Sequence, residues 1–145
     1  MNHGAALLPF ILLSALATPL YAAGQLSADE VRQLFSGNTV EGEFREGTDV
    51  HVEPSGLSTF AAPFTTYFSA DGTARSLRGK KKLRGKWRTS ESGDHCVRWK
   101  GKAKEACAPI IREGKVYRKY MKRRGGRVKW VESYTKFTPG NPDNL

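Results

Sequence analysis

Apolar and polar residues follow two different rhythms along the chain. Ser27-Ala28-Asp29-Glu30 is a capping-box pattern, a serine cap with glutamate three residues on. Behind it, Val31, Leu34 and Phe35 share one helical face and Gly37 is a natural stop, so the spacing predicts a short amphipathic helix over about 27–36. Such a helix would cover a sheet or plug an opening. From Thr39 onward the period shortens to two. "TVEGEFR" alternates, and 46–63, with Gly47, Pro54, Gly56 and Pro63, reads as an irregular excursion carrying one short strand at 50–52. Then "TTYFSADGTARSL", "GKWRTSESGDHCVRWKG", "CAPIIREGKVYRKYM" and "RRGGRVKWVESYTKF" each hold two strand-like runs around Asp-Gly, Ser-Gly, Glu-Gly or Gly-Gly, which are hairpin signals. The last residues, 139–145, have no periodicity and read as a loose tail.

Turn lengths extend the pattern to a register. A three-residue loop at Ser92-Gly93-Asp94 sets Trp87 opposite Trp99 and Thr89 opposite Val97. Pairing Cys96 with Cys107 sets Val97 opposite Ala106 and Arg98 opposite Glu105. Two-residue turns at Glu113-Gly114 and Gly125-Gly126 set Ile110 opposite Tyr117, Met121 opposite Trp130, Lys119 opposite Glu132, and Tyr117 opposite Tyr134. One face then collects Trp87, Val97, Trp99, Ile110, Tyr117, Met121, Trp130 and Tyr134. The other collects Lys86, Arg88, Arg98, Lys100, Arg118, Lys122 and Lys129. The expected fold is mainly β: an antiparallel meander of about seven or eight strands curled into a small lipocalin-like barrel with one N-terminal helix. A β-sandwich is the alternative.

The first residues are of other material. Residues 4–23 are uncharged and rich in Leu and Ala, and they end in small residues, the pattern of a secretory signal peptide cleaved after Ala22 or Ala23. The expected organisation is therefore a signal peptide over 1–23, a single domain over 24–138, and the tail. Export, to the periplasm or outside a bacterial cell, favours a disulfide between Cys96 and Cys107 over a metal site, because no Cys-x-x-Cys pair or histidine cluster accompanies them. Charge is split: residues 24–70 hold seven acids and two bases (−5) and residues 71–145 hold 22 bases and seven acids (+15), giving the net +10 of the 145-residue chain.

At "LSADEVRQLFSGNTVEG", "YFSADGTAR", "GKWRT" and "HCVRW" the chain resembles a loose group of small exported proteobacterial proteins of unknown function with a lipocalin-like strand pattern. The resemblance covers about residues 26–120. It implies fold and compartment, and it assigns no functional residue.

No nucleophile elbow, phosphate loop, zinc-protease helix or dinucleotide fingerprint is present. The acids Glu41, Glu43, Glu46, Asp49 and Glu53 read as surface rather than catalytic groups. His51 in the excursion and His95 beside Asp94 are weak base candidates without a placed nucleophile, so the chain is expected to be a binding or structural protein without cofactor or metal. Two binding readings follow. Lys80, Lys81, Lys82 and Arg84, with Lys122, Arg123, Arg124 and Arg127, are candidates for gripping anionic lipid, envelope glycolipid or polysaccharide; nucleic acid is disfavoured after export. Alternatively the barrel interior holds a small ligand beside Trp87, Trp99, Tyr117, Lys119, Trp130 and Glu132, where Lys119 and Glu132 form an inward pair. A scaffold or inhibitor docking another envelope protein is the third reading.

Overall fold

A computed structural model describes residues 24–45, 61–122, 125–126 and 128–145. The expected signal peptide, the strand at 50–52, His51, and Arg123, Arg124 and Arg127 lie outside them.

The helix α1 (Ala28–Phe35) starts as its sequence dictates: Ser27 Oγ accepts from the Glu30 backbone at 3.3 Å while Glu30 accepts from the Ser27 backbone at 2.7 Å. Its apolar face buries Val31 and Phe35. Nine strands follow: β1 (Asn38–Arg45), β2 (Ala61–Phe68), β3 (Thr73–Arg78), β4 (Lys81–Thr89), β5 (His95–Trp99), β6 (Ala106–Ala108), β7 (Ile110–Glu113), β8 (Val116–Lys122) and β9 (Val128–Pro139). They make one antiparallel sheet in the order β6-β5-β4-β3-β2-β1-β9-β8-β7. Pairing of β1 with β9 joins the beginning and end of the meander, giving the nearly closed barrel that the alternation implied. Pro109, which has no N–H to donate, breaks the segment after Cys107 into β6 and β7. These are the two edges of the sheet, so the seam lies there. Three residues ahead of α1 lie along β7: Leu26 N–H donates to Ile110 O at 2.9 Å, Arg112 N–H donates to Gly24 O at 2.8 Å, and Gln25 bridges Ile111.

The strand β2 starts inside the expected excursion. Pro63 fits there because β3 pairs with β2 only from Phe64 onward, leaving no neighbour on that side to receive a donor. Gly42 faces the closing strand so tightly that a Cβ would lie 1.9 Å from Ser133 O. The tail is tied down: Thr39 Oγ1 donates to Gly140 O at 2.7 Å, and Arg75 donates to Leu145 O at 2.9 Å.

Register departs from the sequence arithmetic in three hairpins. Trp87 lies opposite Val97 and Gly85 opposite Trp99, a slip of two caused by a five-residue connection, Ser90 to Asp94, closed by Ser90 N–H to Asp94 O at 2.9 Å. Gly93 in that connection has φ 90° and abuts the start of α1. Ile110 lies opposite Lys119, again a slip of two, because the turn is Gly114-Lys115. Shifts of two preserve the face. The third is a shift of one. Lys119 does pair with Glu132 and Tyr117 with Tyr134, but a bulge between Lys119 and Tyr120 sets Trp130 opposite Tyr120 instead of Met121. Trp130 therefore turns outward, where Arg45 stacks on its ring at 3.5 Å. The Cys96–Cys107 disulfide and the Val97–Ala106 pair are as expected. Glu105 instead bonds Arg88, at 2.6 and 3.0 Å.

Candidate functional site

Among the described residues, strands β3 to β5 present an outer face with a heavy positive load. Outward positions on β4 are Lys82, Arg84, Lys86 and Arg88, all exposed, and alternation alone puts them there. Two of the four face cations across the ladder, whereas Lys82 lies opposite Leu77 and Arg88 opposite Cys96. Arg75 lies directly opposite Arg84, Lys86 directly opposite Arg98, and Lys100 donates its backbone N–H to Arg84 O at 2.7 Å. Beside these rows a groove of about 400 Å³ is lined by Arg84, Lys86, Arg98, Lys100 and Lys102, with Gly85 in its floor and no acid. Like charges directly opposite one another weaken a sheet. Burial does not require this arrangement, since Arg75, Arg84, Lys86, Arg98 and Lys100 are all exposed; of their heads, Arg75 also donates to Leu145 O. Arg88 differs: Glu105 binds it at two points and holds its guanidinium charged beyond the usual range.

Of the basic residues singled out in the sequence, Lys80, Lys81, Lys82 and Arg84 are exposed at the β3–β4 turn and along β4. Lys122 is exposed on β8. Four strands separate β4 from β8 in the sheet order, so the ladder does not merge the two groups into one row. Arg84 instead joins Lys86, Arg98 and Lys100, which alternation had already placed on one face, and the observed pairing adds Arg75 to them.

The barrel interior has two ends of different chemistry. At one end α1 inserts Phe35, which stacks on His95 at 4.2 Å and meets Phe68, Tyr134 and Phe137 edge-on at 5.3, 5.0 and 5.6 Å. Trp87 belongs to this layer, its ring edge-on to Phe68 and its Nε1 donating to Ser69 O at 2.8 Å. His95 is fully buried, and neither ring nitrogen has a partner among the described residues. Burial, then the Lys119 charge, drive its pKa well below the ordinary value, so the imidazole is neutral.

At the other end the side chains are charged. Arg78, the last residue of β3, donates to Glu132 at 2.8 Å, and Tyr134 Oη donates to the other Glu132 oxygen at 2.6 Å. The Arg78 guanidinium lies over Phe44 at 4.5 Å and reaches Trp99 at 5.4 Å. Burial and the Glu132 charge push the Tyr134 hydroxyl well above its usual pKa, so it stays a donor. Lys119 is 3% exposed, and among the described residues its ammonium has one bond, to Ala106 O at 3.3 Å. Burial lowers its pKa, and Glu132 opposes that shift.

The expected inward pair of Lys119 and Glu132 thus exists as cross-strand neighbours, but the carboxylate bonds Arg78 and Tyr134. Among the other expected interior residues, Trp99 and Tyr117 are half-buried against the core. Trp130 leaves for the outside, as the bulge requires. Arg78 escaped the sequence reading because it stands in a basic run. The signal was there: Ala74 and Ser76, both small and buried, set an inward parity on β3 that ends at Arg78.

Cys96, Glu105 and Cys107 bring candidate ligand atoms within 4.8 Å of one another, but the disulfide consumes both thiolates. Among the described residues no helix is long and apolar enough to cross a membrane. No protein-family model, curated protein or solved structure matches the chain, so the resemblance to exported proteobacterial proteins gains no support.

Proposed function

We propose that the protein is an exported, non-enzymatic binding protein whose outer face over β3 to β5 engages the phosphorylated headgroups of an anionic lipid or glycolipid surface. The observation that carries this reading is the set of opposed cations, Arg75 against Arg84 and Lys86 against Arg98, continued by Lys100. A sheet selected for stability alone would alternate signs across those positions. An anionic surface removes the repulsion, so the cost in the free protein becomes affinity in the bound one. Adjacent strands about 4.8 Å apart carry these heads as a two-dimensional array, which suits many headgroups at once better than one small solute. The aromatic packing around Phe35 and His95 points the same way, because it leaves the barrel little room for a large cargo.

The test is sedimentation with phosphatidylglycerol vesicles. Binding should weaken steeply as salt rises, since exposed charges are screened beyond about 8 Å at 0.15 M. Replacing Arg84, Lys86, Arg98 and Lys100 with Gln should reduce vesicle affinity at least about tenfold, each basic residue near such a surface contributing on the order of 1 kcal/mol. Replacing Lys104, Arg112, Lys115 and Lys129 with Gln lowers net charge equally and should cost much less. Equal losses in the two variants would reduce the effect to net charge and overturn the reading.

A further inference from the structure

The charged end of the barrel holds more positive than negative side chains, and its cations are not free to leave. A pocket of about 160 Å³ opens there, bounded by Phe44, Met121 and Val131 on its apolar side and by Arg45, Arg78, Lys119 and Glu132 on its polar side. Three cations thus face one carboxylate. Arg45 lies at the rim and stacks outward on Trp130. Arg78 and Glu132 neutralise each other directly at 2.8 Å. The remaining charge is Lys119. An ammonium has three donors, and among the described residues the one hydrogen bond of Lys119, at 3.3 Å, goes to a backbone carbonyl rather than to a carboxylate. Among the described residues it makes no ion pair. Arg78 also has a buried Nε without a partner. A charge this deeply placed is costly unless something pairs with it.

We infer that this pocket is a binding site for a small monocarboxylate with a short apolar tail, its carboxylate seated against Lys119 and Arg78 and its tail on Phe44, Met121 and Val131. The charge count sets the valence. One negative charge brings the interior group to neutrality, whereas a doubly charged phosphate would leave an excess negative charge against Glu132. The wall chemistry sets the tail. The volume sets the size: about 160 Å³ is roughly five waters' worth at about 30 Å³ each, space for a chain of a few carbons. The site is separate from the outer face: Arg78, Lys119 and Glu132 line the interior pocket from β3, β8 and β9, whereas Arg75, Arg84, Lys86 and Arg98 are exposed on the outer side of β3, β4 and β5.

Butyrate is the probe. Titrated into the isotope-labelled protein and followed by NMR, it should bind saturably at one site with a Kd on the order of 1 mM or tighter, and the shifts should centre on Lys119, Met121 and Phe44. Butylammonium, equal in size and opposite in charge, should not bind, and inorganic phosphate should bind more weakly than butyrate. Lys119→Met keeps length and apolar bulk while removing the charge; it should weaken butyrate binding at least about tenfold, a loss near 1.4 kcal/mol. The variant with Arg84, Lys86, Arg98 and Lys100 changed to Gln should bind butyrate as the parent does, which keeps this site distinguishable from the vesicle surface. Non-saturating shifts in the parent protein, equal binding of butylammonium, or shifts confined to exposed lysines would each overturn the inference. The parent titration decides the matter even where Lys119→Met folds poorly.

Discussion

The outer face of β3 to β5 and the charged end of the interior are built from the same side chains under opposite conditions. Outside, Lys86 and Arg98 face each other across a strand pair with water on their heads. Inside, Arg78 and Lys119 share the neighbourhood of one carboxylate, with Lys119 3% exposed. Water makes the outer repulsion small, because the Coulomb energy of a charge pair at about 4 Å falls from several kcal/mol at an effective dielectric near 20 to about 1 kcal/mol in bulk solvent. The outer array can therefore be changed almost freely as far as folding is concerned. The inner group cannot.

The largest effect should come from removing the shared carboxylate. Glu132→Gln leaves the Arg78 guanidinium and the Lys119 ammonium both unneutralised and weakens the Tyr134 hydrogen bond. The Arg78 and Glu132 side chains are about one-fifth exposed, which places the cost at the low end for a broken buried pair, about 2–3 kcal/mol. Thermal unfolding should show a Tm about 10 °C lower. A change of less than about 2 °C would mean that the interior charges are solvated like the outer ones, and the contrast between the two regions would disappear.

A second, pH-dependent effect should arise at the opposite end of the same interior. His95 is held neutral by burial and by the Lys119 charge, and its neighbours Phe35, Phe68, Trp87 and Tyr134 offer it no acid. The unfolded chain takes up a proton at this position near pH 6.5, while the folded chain does so only at much lower pH. Stability should thus be undiminished by this group above about pH 7 and should fall as pH drops below about 6.5. Urea unfolding at pH 7.5 and 5.5 checks it: the parent should lose more stability between the two than His95→Leu does. Equal slopes would show the imidazole to be accessible to solvent protons.

The smallest effect is outside. Lys86→Glu converts one opposed like-charge pair with Arg98 into an attractive one and should stabilise the fold by only about 0.5 kcal/mol, measured by the same urea titration, while lowering vesicle affinity. Loss of stability on this substitution would mean that the lysine stem, not its charge, matters at that position.

Legibility in the sequence followed the same division. The helix, the barrel, the disulfide and the outward basic residues on β4 were all readable, because alternation of period two survives any register error that is even. The two hairpins whose turns were placed wrongly slipped by two, so Trp87 and Ile110 still reached the core. One odd shift, at the bulge beside Tyr120, sufficed to send Trp130 outward. The candidate sites were less readable than the fold. Arg84 could be recognised as exposed, but its grouping with Arg75 depends on which strands are neighbours. Arg78 was hidden by its position within a run of cations, where charge drew more notice than parity.

The short segment ahead of α1 has a consequence for assembly. The strand β7 ends the sheet and would present free N–H and C=O groups to any passing chain, the usual starting point for edge-to-edge association. Gly24 and Leu26 occupy two of those groups and Gln25 bridges a third position. These residues act as a built-in blocking strand, so loosening them would lay β7 open as a template for further copies of the chain.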